Sequence, residues 1–148
     1  MNPPAPVVII CPSCATANRV PRDKLTAGGK CGRCGGTLFN ARPVTLGALD
    51  FDAHLSRSGI PLLVDFWASG GGPCRQMAPA FEAAAAKLEP YVRLGKVDTE
   101  AEQAIAARFA IRSIPTMILF SGGRELARKA GAMPAAAIVN WVQQSLRG

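Results

Sequence analysis

Leu62-Leu63-Val64-Asp65-Phe66-Trp67-Ala68-Ser69-Gly70-Gly71-Gly72-Pro73-Cys74 is the stretch that decides how this chain folds. Its first six residues form an apolar run broken only by Asp65, the pattern of a strand buried on both faces. Ser69 to Gly72 carry almost no side-chain bulk. Pro73 suits the first turn of a helix, and the residues from there to Leu88 are rich in Ala, Gln, Glu and Met. Met77, Phe81 and Leu88 are spaced to line one helical face. Pro79 lies inside this helix and is expected to remove one backbone hydrogen bond and kink the axis. The run Gly70 to Gly72 lacks the Gly-Lys-Ser/Thr of a phosphate-binding loop, so it reads as a flexible groove wall.

Regular elements continue on both sides. Upstream, a short strand is expected over Val44–Leu46 and a helix from Asp50, acting as N-cap, to Ser58, stopped by Gly59 and Pro61. His54 on that helix is expected to face solvent. Downstream come a strand over Tyr91–Asp98, a helix over Glu100–Phe109, a strand over Thr116–Phe120, a turn at Ser121-Gly122-Gly123 and a strand over Glu125–Ala130. After Gly131 and Pro134, a last helix places Ile138, Trp141, Val142 and Leu146 on one side. Helices alternating with strands and a final hairpin imply an α/β fold, a mixed sheet with helices on both faces.

The front of the chain has another composition. Cys11-Pro12-Ser13-Cys14 and Cys31-Gly32-Arg33-Cys34 are two Cys-x-x-Cys pairs separated by 16 residues, a spacing that fits a four-cysteine zinc site. Glycines at 32, 35 and 36 permit the tight backbone of such a knuckle. Four thiolates leave no open position for water, so the zinc is expected to be structural and to supply folding energy to a segment too small to own a core. Disulfides and free buried thiols are the competing readings. The paired spacing disfavours free thiols, and the lack of an export signal in residues 1–10 disfavours disulfides. Composition changes between Asn40 and Val44, so two domains are expected: an N-terminal zinc-binding module over 1–42 and an α/β domain over 43–148.

The chain of 148 residues is 49% hydrophobic and 18% charged, which excludes a disordered polymer. No apolar run approaches the roughly 18 residues of a membrane span. Residence in the cytoplasm is the default. Net charge is +7, of which residues 1–42 carry +5 through Arg19, Arg22, Lys24, Lys30, Arg33 and Arg42 against Asp23. That segment has one aromatic residue, Phe39, and no stacking platform, so a solvated basic face is preferred to nucleic-acid binding.

Taken together, residues 43–148 resemble thioredoxin, and the cysteine-bearing front resembles that of the bacterial zinc-containing thioredoxins, the thioredoxin-2 type. The most specific matches are Phe66-Trp67-Ala68, Gly72-Pro73-Cys74 running into a helix with Ala78-Pro79, and Ile114-Pro115-Thr116 before a strand; Asp65, Lys96 and Gly131 also match. The thioredoxin active site reads Trp-Ala-Pro-Trp-Cys-Gly-Pro-Cys, whereas this chain has Ser69, Gly70 and Gly71 in place of Pro, Trp and Cys. The resemblance implies that Pro115 is cis and faces the active-site loop, that Asp65 is buried beneath it with Lys96 nearby, and that Trp67, Gly72, Pro73, Ile114, Pro115 and Gly131 form the substrate groove.

The implied chemistry is thiol–disulfide exchange. The first cysteine, ionised at a helix start, attacks a substrate disulfide, and the second releases the product. Gly71 holds the first position and cannot attack. Cys74 is the resolving cysteine, with Asp65 the buried carboxylate able to take a proton. The resemblance thus implies a protein-disulfide reductase of redox homeostasis whose dithiol turnover is lost or strongly reduced; whether the chain is an enzyme stays open at this point. Two alternatives stand beside it: a redox-silent module binding extended polypeptide beside Pro115, and monothiol exchange through a Cys74 exposed by the stripped loop. Cys74 as an unreactive core residue is the bland reading of that sulfur. Implied partners are protein disulfides or extended peptides and a thioredoxin reductase.

Overall fold

The computed structural model describes residues 5–148. Residues 1–4, part of the expected 1–42 module and of the stretch read as lacking an export signal, lie outside the described residues. The front segment contains one antiparallel hairpin, β1 (Val7–Ile10) with β2 (Ala17–Val20). A second small loop is closed by the bridge Lys30↔Thr37. The rest is a five-stranded mixed sheet built from β3 (Val44–Thr45), β4 (Leu62–Trp67), β5 (Arg93–Asp98), β6 (Thr116–Ser121) and β7 (Arg124–Ala130). Its order is β3-β5-β4-β6-β7, with β3, β5 and β4 parallel and β6 and β7 antiparallel to their neighbours. The helices are α1 (Gly72–Leu88), α2 (Gln103–Arg108) and α3 (Ala135–Arg147).

Strand alternation sorts β4 into two faces. Leu63 joins Leu94, Met117 and Leu119 under α1 and α3, where Met77, Phe81, Ala84, Ala85, Ile138 and Val142 are buried. Leu62, Val64 and Phe66 face the other way, onto Phe51, Leu55, Val97, Ile105, Ile118 and Phe120. That second core is rich in rings: Phe109 lies 5.1 Å from Phe120 and 5.7 Å from Phe51, centroid to centroid. The β6–β7 hairpin turns on Gly122 and Gly123, both at positive φ, the backbone a two-residue primed turn needs.

Several expected boundaries move. The strand expected from Tyr91 begins at Arg93, because Tyr91 lies exposed in the turn after a cis Glu89–Pro90 bond. Helix α2 starts at Gln103 rather than Glu100, since Asp98 Oδ1 accepts from the N–H groups of Glu100 and Ala101 and holds a turn there. Helix α1 continues unbroken past Pro79.

Two expectations about the first helix fail. The segment Ala53–Arg57 is π-helical, and Asp50 does not cap it; its carboxylate accepts from the upstream Gly47 N–H. His54 is 1% exposed rather than solvent-facing, and neither ring nitrogen has a hydrogen-bond partner. This element packs against β1, so the front hairpin covers a face that would otherwise be open. Burial, and secondarily the charge of Arg93, pushes the His54 ring down to about 4 from 6.5. The folded state therefore favours the neutral ring: stability is intact above the unfolded value and is lost as pH falls through the folded one. The loss amounts to about 3 kcal/mol at the acid end. A His54→Leu variant is expected to lack this component, read as the difference in urea-unfolding free energy between pH 7 and pH 4. Equal acid losses in both proteins would contradict the assignment.

Candidate functional site

The site forms where β4 delivers the chain to α1. Trp67 ends the strand half-buried, its carbonyl accepting from the Thr99 N–H and hydroxyl. Residues 68–71 form the loop, and α1 opens with Pro73 in its first turn and Cys74 one residue later. Cys74 is 5% exposed.

Gly71, which the resemblance places at the first cysteine's position, directly precedes α1. Its φ of −101° and ψ of 131° are extended backbone open to any residue. A Cβ built on it would lie 3.6 Å from Cys74 Sγ, 3.9 Å from Cys74 Cβ and 4.0 Å from Ile114 Cδ1. The Cβ–Cβ separation falls within the roughly 3.5–4.5 Å of a disulfide. Glycine leaves that space without a sulfur.

Opposite the loop, Ile114–Pro115 is a cis bond, with Pro115 buried and Ile114 36% exposed. Gly131, at φ +96°, donates its N–H to the Pro115 carbonyl across 2.9 Å and so carries the end of β7 alongside. The structure thus brings Gly71, Cys74, Ile114, Pro115 and Gly131 to one end of the sheet, with Trp67 at the end of β4 and Gly72 and Pro73 at the start of α1.

Asp65 is 1% exposed on β4, in register with Lys96 of β5 and Met117 of β6. By alternation it shares the face of Leu63, beneath α1. Its Oδ1 has no hydrogen-bond partner. Burial pushes its carboxyl up to about 6 from 3.8, and Lys96 opposes the shift. The Lys96 Nζ lies 4.8 Å from the centroid of the Trp67 ring. A raised carboxylate costs the fold where it is ionised: the penalty is absent below about pH 4, grows through 6 and is complete above it. Asp65→Asn is expected to gain about 3 kcal/mol of stability at pH 8 and almost none at pH 3.5, by urea titration. A gain independent of pH would show that charge is not its origin.

The second cluster lies in the front segment. The sulfurs of Cys11, Cys14, Cys31 and Cys34 all fall within 4.8 Å of one another, with Cys11–Cys34 and Cys14–Cys31 at 3.6 Å. A tetrahedral ion with bonds of about 2.3 Å places sulfurs about 3.8 Å apart. The two knuckles are built alike. Cys11 N–H donates to the Thr16 carbonyl and Ala15 N–H to Cys11; Cys31 N–H donates to Gly36 and Gly35 N–H to Cys31. Ala15 and Gly35 occupy the same left-handed corner, φ 61° and 76°. Backbone N–H groups of Ser13, Arg33 and Gly36 point at the sulfurs of Cys11, Cys31 and Cys34, each at 3.4 Å. Such donors favour thiolates, and the Cys31 thiol is pulled down to about 6, first by the Cys34 backbone and then by that of Arg33; at Cys34 the Gly36 N–H acts in the same sense, but the Cys11 thiol and burial outweigh it and push that thiol up to about 11. These four donors are placed so that they could hold one metal ion.

Sequence reasoning missed Asn18. Its Nδ2 donates to Cys31 Sγ at 3.5 Å and its Oδ1 accepts from Gly32 at 2.9 Å, so it orients the second knuckle from the first hairpin. A lone Asn outside both Cys-x-x-Cys pairs gave no signal. Among the described residues no helix is long and apolar enough to cross a membrane.

Comparison with known proteins agrees with this geometry. Residues 42–144 match the thioredoxin family, and residues 10–36 match the family described as thioredoxin 2, N-terminal. Thioredoxin C-3 of Corynebacterium nephridii is 41% identical over 141 residues, covering 95% of this chain and 97% of that protein. Thioredoxin of Haemophilus influenzae is 36% identical over 97 residues, 66% of this chain and 91% of its own. Among solved structures, a mutant thioredoxin from Halobacterium salinarum superposes with a TM-score of 0.65 at 25% identity, over 74% of this chain and 96% of that one. The chain belongs to the thioredoxin family, with the four-cysteine N-terminal ribbon of thioredoxin 2 preceding its thioredoxin fold.

Proposed function

We propose that this chain is a thioredoxin-family protein that keeps the substrate groove of a protein-disulfide reductase but has lost or strongly reduced dithiol turnover at Gly71. The observation that carries the reading is the geometry there: a side chain at 71 would meet Cys74 at disulfide distance, and glycine supplies no sulfur. A dithiol cycle needs a first thiolate to bond one sulfur of the substrate disulfide while the other leaves. A second thiolate must then attack the first and release the remaining substrate sulfur. Without the first, no electrons enter by that route. The other four cysteines sit together in the ribbon.

What remains is a binding surface. Trp67, Gly72, Pro73, Ile114, Pro115 and Gly131 are the residues that would hold an extended polypeptide, with Ile114 its exposed apolar contact. Asp65, with its raised carboxyl, would be the proton acceptor for Cys74 in a restored cycle. Cys11, Cys14, Cys31 and Cys34 are proposed to hold zinc, which supplies a structural cross-link when bound. The proposed setting is the cytoplasm, with protein disulfides or extended peptides as partners and a thioredoxin reductase as the electron source for any dithiol form. Module limits of 1–42 and 43–148 are proposed as well. The test is insulin reduction by the native chain beside Gly71→Cys: turnover only in the variant supports the reading, and comparable turnover by both refutes it.

A further inference from the structure

The ribbon meets the thioredoxin fold at the N-terminal ends of β4 and β5, through Gly59, Ile60, Glu89 and Arg93, while the Gly71 loop follows the C-terminal end of β4. Six strand residues separate the two ends, about 20 Å. At the ribbon end one guanidinium reaches two separate stretches of the ribbon. Arg93 is 2% exposed, and its Nη2 donates to the carbonyls of Ile10 at 3.0 Å and Leu38 at 2.7 Å. Its Nη1 lies 3.0 Å from Glu89 Oε2, and its Cζ is 4.6 Å from the centroid of the Phe39 ring. Glu89 in turn accepts the Ala41 N–H at 2.8 Å through Oε1.

These contacts fall at telling places in the chain. Ile10 directly precedes Cys11, where the first knuckle opens, and Leu38 lies just beyond Gly36, where the second closes. The two carbonyls meet one guanidinium only while the two knuckles are held side by side. The four clustered sulfurs and the Asn18 contacts lie between those knuckles. The apolar contact around this junction is continuous across both parts, since Val7, Ile9, Cys11, Cys31 and Leu38 of the ribbon pack with Ile60 of the domain. Gly59 completes it: its N–H donates to the Val8 carbonyl at 2.7 Å, and a Cβ there would meet the Val8 backbone N at 2.8 Å.

We propose that Arg93, anchored by Glu89, couples the four-cysteine site to the thioredoxin fold, so that metal occupancy of the ribbon stabilises the domain and the two unfold as one unit. The inference rests on the metal reading of the ribbon but not on the redox state of the Gly71 site. With the knuckles apart, Arg93 loses both carbonyls, Glu89 loses the Ala41 N–H, and the start of β5 loses the contacts and cover that fix it. Arg93 is a positioning residue here, without contact to substrate.

The experiment uses the full chain loaded with Co(II), whose thiolate charge-transfer absorbance reports the ribbon, while near-ultraviolet dichroism of Trp67 and Trp141 reports the domain. On heating, both signals of the native chain are expected to vanish in a single transition. Stripping the metal with a chelator should lower the domain midpoint by at least about 5 °C. The paired replacement Arg93→Met with Glu89→Leu removes the contacts without leaving a lone buried charge. In it the two signals should separate, and the metal-dependent shift should fall below half its native size. Separate transitions in the native chain, or an undiminished shift in the double variant, would overturn the coupling. If the double variant does not fold, hydrogen exchange decides on the native chain. Loss of protection over Arg93–Asp98 on metal removal supports the proposal, and unchanged protection overturns it. Absence of the Co(II) band from the native chain would instead sink the metal reading itself, and the coupling with it.

Discussion

Gly71→Cys is expected to form an intramolecular disulfide with Cys74 and to reduce insulin at least about 100-fold faster than the native chain. Three features make the substitution productive. The backbone at 71 is already extended, so no strain accompanies a side chain. The new Cβ would sit 3.9 Å from Cys74 Cβ, where a disulfide closes without backbone movement. The position immediately precedes α1, whose first unpaired N–H groups favour a thiolate. The same space filled by an oxygen should do nothing: Gly71→Ser is expected to leave turnover at the native level, which separates sulfur chemistry from loop stiffening. A Gly71→Cys protein that stays fully reduced in an oxidising glutathione buffer would contradict the geometry.

The other large effect concerns the ribbon. Removing the metal is expected to dismantle the β1–β2 hairpin and both knuckles, because the segment's apolar contacts are few and its ordering depends on four sulfurs brought within 4.8 Å. Structural zinc sites of this kind bind with apparent free energies of about 10–16 kcal/mol at neutral pH, which is folding energy for the segment that carries them. Cys14→Ser replaces one ligand by a poor one, with Cys14 itself exposed and no part of the apolar packing. It should weaken zinc by at least about 100-fold against a chromophoric chelator. The native chain should carry one equivalent, and fewer than half an equivalent after preparation in zinc would count against a structural site.

The sheet and its order of elements were legible because periodicity and punctuation agreed. Leu62–Trp67 read as a buried strand, the Gly122-Gly123 pair as a hairpin turn and Pro73 as a helix start, and each is found so. The gathering of four cysteines was legible from spacing alone, since two Cys-x-x-Cys pairs leave few other arrangements. The docking of the ribbon was not. Arg93 and His54 carry side chains that usually face water, and their burial follows from a hairpin distant in sequence lying over them. Nothing in a local window reports that cover. The π-helical turn at Ala53–Arg57 escaped for a related reason, its apolar pattern being that of an ordinary helix. The surroundings of position 71 were legible only in outline: Ile114-Pro115-Thr116 marked them, while the approach of Ile114 Cδ1 to position 71 and the station of Lys96 against Trp67 depend on strand register.

The central claim is that the native chain has no second sulfur with which Cys74 can exchange. Intact-mass spectrometry of the native protein, metal bound, after equilibration in an oxidising glutathione buffer tests it. The account predicts no chain lighter by two hydrogens. A metal-retaining native chain lacking two hydrogens would contradict it.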